Sequence, residues 1–83
     1  MYQVYILESL KHGGYYVGSC KDLRIRFTEH NRGRVRSTVF GKPWKVVYTE
    51  TFDTLAEARK RERQVKNWKK RAAIERLINK NNK

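Results

Sequence analysis

One cysteine in 83 residues is the tightest constraint on this chain. Cys20 has no partner, so neither an internal disulfide nor a multi-cysteine zinc site can brace the fold. A domain near this size removes only about 60% of its unfolded surface from water. Packing must supply the stability, and nearly every large apolar side chain has to enter the core. Residues 1–83 leave room for one domain. A chain without disulfides suits a reducing compartment, and the cytoplasm is the expected location. No charged segment followed by an apolar run opens the chain, so secretion is not expected. The longest apolar runs, Val4 to Leu7 and Val46 to Tyr48, fall far short of the roughly 18 residues of a spanning helix.

Charge sets the second constraint. Twenty Lys and Arg against eight Asp and Glu give +12. With 39% hydrophobic residues the chain is too apolar for a disordered polybasic tail. A compact domain this basic repels itself and calls for a polyanion, of which nucleic acid is the commonest. An anionic membrane surface and an acidic protein are the rival partners. The stretch from Arg59 to Lys83 holds 11 of the 20 basic residues and only two acids, Glu62 and Glu75.

The local patterns predict α+β architecture: a three-stranded antiparallel sheet flanked by helices, in the order β-β-α-β-α-α. Residues 2–8 and 15–18 read as a hairpin around Lys11-His12-Gly13-Gly14. A loop at 9–12 would set Tyr5 opposite Tyr16. Asp22 can cap a helix over 23–31 that Gly33 stops. A basic loop follows over 33–43, then a strand over 44–51. Asp53 or Thr54 caps a second helix to about Lys66, with Glu57 near N3 as in a capping box. A third, basic helix covers about 69–79, with Ala72, Ala73, Leu77 and Ile78 as its apolar positions. Trp44 and Trp68 read as core residues rather than base-stacking platforms.

Polar residues interrupt the apolar stripes. Leu55, Ala58, Glu62, Val65 and Trp68 recur three and four apart on the second helix. A carboxylate inside that stripe needs a cation: an arginine, a lysine or a metal ion. Leu23, Phe27 and His30 share a face of the first helix, and Arg26 precedes His30 by one turn. A guanidinium beside an imidazole can bind phosphate and move a proton. The alternatives are a surface arginine and a packed neutral histidine.

Gln3-Val4-Tyr5 and Tyr16-Val17-Gly18, followed by Arg26, His30 and Glu62, resemble the signature of the GIY-YIG nucleases. So do the run from Tyr16 to Gly33, the segment from Pro43 to Tyr48, and Glu57-Ala58 leading to Glu62 and Lys66-Asn67-Trp68-Lys69. The resemblance covers nearly the whole chain and is closest to the small stand-alone bacterial members. It implies metal-dependent hydrolysis of phosphodiester bonds in DNA, structured or repair-related, with RNA left open as a substrate.

The resemblance also implies roles. Tyr16 aligns with the general base for the attacking water. Tyr5 aligns with the tyrosine that positions that water and the phosphate. Arg26 stabilises the developing charge, and His30 assists proton transfer at Tyr16. Glu62 holds one divalent ion, Mg²⁺ or Mn²⁺. Several members carry a lysine where this chain has Ser19. Arg32, Arg34 and Arg36 after the first helix, with Lys66, Lys69, Lys70 and Arg71, would contact backbone phosphates. Larger relatives gain target choice from a separate DNA-binding domain. Here a protein partner or DNA shape would supply it. The competing expectations are a non-catalytic nucleic-acid-binding module on the same scaffold and a subunit active only with a partner.

Overall fold

The computed structural model describes residues 1–81. Its elements are β1 (Tyr2–Ser9), β2 (Tyr15–Cys20), α1 (Leu23–Asn31), a 3₁₀ turn (Val39–Gly41), β3 (Trp44–Phe52), α2 (Leu55–Lys66) and α3 (Arg71–Asn81). The expected order holds, with a 3₁₀ turn added inside the basic loop. The sheet is antiparallel throughout and ordered β2-β1-β3.

Its apolar run makes β1 the central strand, because a strand covered on both faces cannot alternate. Val4, Tyr5, Ile6 and Leu7 are all buried. Val4 and Ile6 pack with Val17, Ala58, Val65 and Ile78 under α2 and α3. Tyr5 and Leu7 pack on the opposite face with Trp44, Tyr16, Leu23 and Phe27. A bulge between Ile6 and Leu7 shifts the β1–β3 register and sharpens the local twist.

The hairpin register differs from the expected one. Tyr5 lies opposite Gly18, and Tyr16 opposite Leu7. The loop is longer because Ser9 organises it. The Ser9 amide donates to Gly14 O at 2.8 Å, and the Gly13 amide donates to Ser9 O at 2.9 Å. The Lys11 and His12 amides both donate to Ser9 Oγ at 3.1 Å. Gly13 takes φ +76°, a left-handed conformation that a side chain disfavours. The slip is two residues, so it leaves both tyrosines on the same face of the sheet.

The helices begin where their caps direct. Asp22 accepts from the Ile25 amide at 3.3 Å. Thr54, not Asp53, caps α2, accepting from the Glu57 amide at 3.2 Å. Gly33, with φ +76°, ends α1. On α3, Ala72 is exposed, contrary to expectation, while Ile74 and Leu77 pack on the core beside buried Ile78. Positions 74, 77 and 78 form the inward stripe, and Ala72 falls outside it. Trp44 is buried with its indole N–H donating to Thr38 O at 2.9 Å, and Trp68 packs half-buried against the core.

Candidate active site

Strand alternation distributes the sequence-predicted residues across both faces of β2. Tyr16 and Gly18 face α1; Val17 and Ser19 face α2. Among the described residues only β1 pairs with β2, so the other side of β2 is the edge of the sheet. Gly18 has a steric duty. A Cβ there would lie 2.6 Å from the Tyr5 hydroxyl and 3.1 Å from Tyr16 Cε2. Without that side chain, the Tyr5 ring lies across β2 and the two tyrosine rings come to 6.4 Å between centroids.

His30 sits against both rings, 5.7 Å from Tyr5 and 5.0 Å from Tyr16 between centroids. It is fully buried. Its Nε2 is 2.9 Å from the Tyr5 hydroxyl, and its Nδ1 is 2.7 Å from Thr38 Oγ1. The proton inventory can be assigned along this chain. Val35 O only accepts, so the Thr38 hydroxyl donates to it, at 3.3 Å. Thr38 then accepts the Nδ1 proton of His30, and Nε2 accepts the Tyr5 proton. Burial, reinforced by the Arg26 cation, lowers the His30 pKa to about 4. Burial likewise raises the Tyr5 pKa to about 12, with Arg26 opposing it. Both groups are therefore neutral at pH 7. His30 meets Tyr5 by hydrogen bond and Tyr16 only by ring contact, and neither ring nitrogen is open to a phosphate.

Tyr16 is half-buried. Arg26 lies beside the Tyr5 hydroxyl, with a side chain 40% exposed, and donates to Glu29 at 3.2 Å. As a half-exposed cation beside Tyr5 it can reach a phosphate.

Glu62 occupies the α2 side of the same strand, and its side chain is 19% exposed. Ser19 Oγ donates to Oε1, and Lys66 Nζ lies 2.6 Å from Oε2. Burial alone would raise the carboxyl pKa, but the Lys66 and Ser19 hydrogen bonds outweigh it and hold Glu62 below the ordinary carboxylate range. The cation demanded by the α2 stripe is thus Lys66. Its ammonium also lies 5.8 Å from the centroid of the Tyr16 ring. One lysine therefore links the two faces around the edge of β2.

Among the described residues no group of three or more His, Cys, Asp or Glu surrounds a common point. Glu62 offers one anionic carboxylate beside the Ser19 hydroxyl, at a depression it shares with Arg59 and Arg63. Such a donor set fits an ion that keeps most of its waters, as Mg²⁺ does. It does not fit a structural zinc ion.

The expected phosphate contacts divide. Arg32, Arg34 and Arg36 are exposed after α1. Arg32 and Arg34 line an open depression of about 450 Å³ with Arg24 and Thr28. Lys69 and Lys70 are exposed between α2 and α3. Arg71 is engaged within the protein. It donates to Gly13 O at 2.7 Å, pairs with Glu75 at 3.2 Å and covers the Tyr15 ring at 4.5 Å. It clamps the hairpin turn to α3.

Sequence reasoning missed two participants and left one pairing open. Thr38 lies in a loop whose spacing gives no sign of a contact with His30. Asn31 ties the end of α1 to β3, accepting from the Trp44 amide at 2.6 Å and donating to its carbonyl at 3.1 Å. The Glu62–Lys66 pair did carry a signal: an acid four residues before a lysine is the favoured helical ion pair.

Comparison with known proteins identifies what the chain is similar to. The model of the GIY-YIG catalytic domain matches residues 1–81. A UPF0213 protein of Staphylococcus saprophyticus is 36% identical over 72 residues, covering 86% of this chain and 87% of the relative. A UPF0213 protein of Staphylococcus aureus is 37% identical over 76 residues, covering 90% of each. The solution NMR structure of a UPF0213 protein from Bacillus halodurans superposes with a TM-score of 0.62 at 32% identity, covering 98% of this chain and 86% of that one. By its family match, its fold and its relatives, the chain belongs to the GIY-YIG family, a nuclease superfamily.

Proposed function

We propose that this protein is a metal-dependent endonuclease that hydrolyses phosphodiester bonds in DNA, with structured or repair-related DNA as its substrate class. One placement carries the proposal: Tyr16 and Glu62, on opposite faces of an edge strand, converge on a single ammonium group. A phosphate at that edge would have Tyr16 on one side and Glu62 on the other.

Tyr16 acts as the general base, taking a proton from the water that attacks phosphorus. Tyr5 is buried and its hydroxyl is hydrogen-bonded to His30, so it acts as a rigid wall that helps position the water and the phosphate. The His30–Thr38 relay holds its ring, and the Tyr5 ring in turn packs against Tyr16. Arg26 stabilises the charge that builds on the phosphate oxygens, where loss of one donor typically costs on the order of 10²–10³ in rate. Glu62, oriented by Ser19, would hold the divalent ion, Mg²⁺ or Mn²⁺. When bound, that ion supplies Lewis-acid stabilisation of a phosphate oxygen and the leaving oxygen. Arg32, Arg34, Arg36, Lys69 and Lys70 give phosphate contacts, which bring affinity without sequence readout. Target choice then rests on DNA shape or a protein partner.

The test is cleavage of labelled single strands, duplex, flaps, a splayed fork and a four-way junction, each with Mg²⁺, Mn²⁺ or EDTA. Wild type runs beside Tyr16→Phe and Glu62→Gln, both checked for folding. Metal-dependent cutting that both substitutions abolish is expected. Equal cutting by all three proteins refutes the site assignment. Salt-sensitive binding without cutting, with or without cell extract, leaves a nucleic-acid-binding module in its place.

A further inference from the structure

Lys66 is expected among the phosphate contacts; the structure sets its ammonium between Glu62 and the Tyr16 ring. It lies 2.6 Å from Glu62 Oε2. It spans from that carboxylate to the Tyr16 ring across the edge of β2. Ser19 satisfies the other carboxylate oxygen. With each oxygen already accepting one hydrogen bond, a divalent ion reaching Glu62 competes with these contacts for the carboxylate's charge and lone pairs. Ser19 projects from a strand of the sheet and is half-buried. Lys66 is the movable partner, with a side chain 47% exposed at the last position of α2 and a flexible four-carbon stem.

We infer that Lys66 is an internal stand-in cation: it neutralises Glu62 when no divalent ion is bound and competes directly with that ion for Oε2. Lys66 thereby sets the metal affinity of the site. This deepens the proposed nuclease reading, on whose assignment of Glu62 as the metal carboxylate it rests.

Two effects follow from removing Lys66, and they can be separated. Any lysine or arginine near Glu62 repels a divalent ion through space. Only Lys66 also occupies the ligand atom. Arg59 and Arg63 line the same depression as Glu62 and make no hydrogen bond to its carboxylate. Substituting Arg63 therefore reports the through-space effect alone. Releasing the Lys66 hydrogen bond, discounted because that side chain is 47% exposed, is worth about three- to tenfold in affinity, whereas one solvent-screened cation that makes no such bond is worth about twofold at most.

The experiment is Mn²⁺ binding to the full chain without DNA. Depletion of the free Mn²⁺ signal is read by electron paramagnetic resonance, with circular dichroism to verify folding. Wild type is compared with Lys66→Met, Arg63→Met, Glu62→Gln and the double variant Lys66→Met/Glu62→Gln. Lys66→Met is expected to bind Mn²⁺ about three- to tenfold tighter than wild type, and Arg63→Met about twofold tighter at most. Glu62→Gln should remove the gain in the double variant. Equal tightening by Lys66→Met and Arg63→Met would overturn the inference while leaving Glu62 as the metal carboxylate. Unchanged affinity in Lys66→Met would overturn it in the same way. If binding survives in both Glu62→Gln proteins, or no protein binds, the metal assignment itself fails and the inference falls with it.

Discussion

His30 should make this fold lose stability as the pH falls. The imidazole is fully buried between two tyrosine rings and stays neutral down to about pH 4, whereas an unfolded histidine takes up its proton near 6.5. The folded-state pKa is the lower one. Above pH 6.5 neither state binds the proton and the neutral relay contributes its full stability. As pH falls from 6.5 towards about 4, only the unfolded chain gains the proton, so stability is lost across that window. At about 1.4 kcal/mol per pH unit, the loss is about 2 kcal/mol by pH 5 and about 3 kcal/mol by pH 4. That is a large share of the 5–15 kcal/mol typical of a small domain. The assay is urea unfolding at pH 7, 6 and 5, followed by tryptophan fluorescence, for wild type and His30→Gln. The substitution costs stability at every pH because it breaks the Tyr5–His30–Thr38 relay. The informative quantity is therefore the difference in slope, in which all other titrating groups cancel. Wild type should lose about 2 kcal/mol more than the variant between pH 7 and pH 5. Parallel losses in the two proteins would refute the neutral buried histidine.

Further outcomes follow from the same packing. Gly18→Ala places a methyl group 2.6 Å from the Tyr5 hydroxyl. It should cost about 1–3 kcal/mol and shift the Tyr5 and Tyr16 ring resonances in NMR spectra. Ile6→Ala empties a fully buried position under α2 and should cost about 2–5 kcal/mol in thermal or urea unfolding. Arg34→Gln and Arg36→Gln should each lower the salt dependence of DNA binding by about one unit of log–log slope. Arg71→Gln breaks the contacts to Gly13 O and Glu75 and should lower stability by about 1 kcal/mol in urea unfolding.

The elements were legible because each is signalled locally. The unbroken apolar run of β1, the Asp22 and Thr54 caps and the Gly33 stop all act within a few residues of themselves. The hairpin register was not legible to the residue. Ser9 builds a loop from its own side chain, and composition cannot distinguish that loop from a shorter one. The five residues carried by the family resemblance do gather around β2, but their surroundings divide them. His30 and Tyr5 are sealed in the core, while Tyr16 and Arg26 remain partly open. Burial depends on which faces pack, and one sequence shows that only through periodicity. The His30–Thr38 contact crosses an irregular loop with no period to read. Lys66 looked like one more surface charge because its second neighbour, Tyr16, reaches it around the edge of a strand.

The division between β1 and β2 also has a consequence for motion. Tyr5 belongs to a strand hydrogen-bonded on both sides and buried on both faces. Its amide can meet solvent only when the whole molecule opens. Tyr16 belongs to a strand bonded on one side only. Outward-facing amides of β2 can be reached by local fraying, at a fraction of that free energy. Amide hydrogen exchange should therefore be slowest along Val4 to Leu7 and markedly faster along the free side of β2. One tyrosine then shares the lifetime of the fold, while the other can breathe with the edge that carries it.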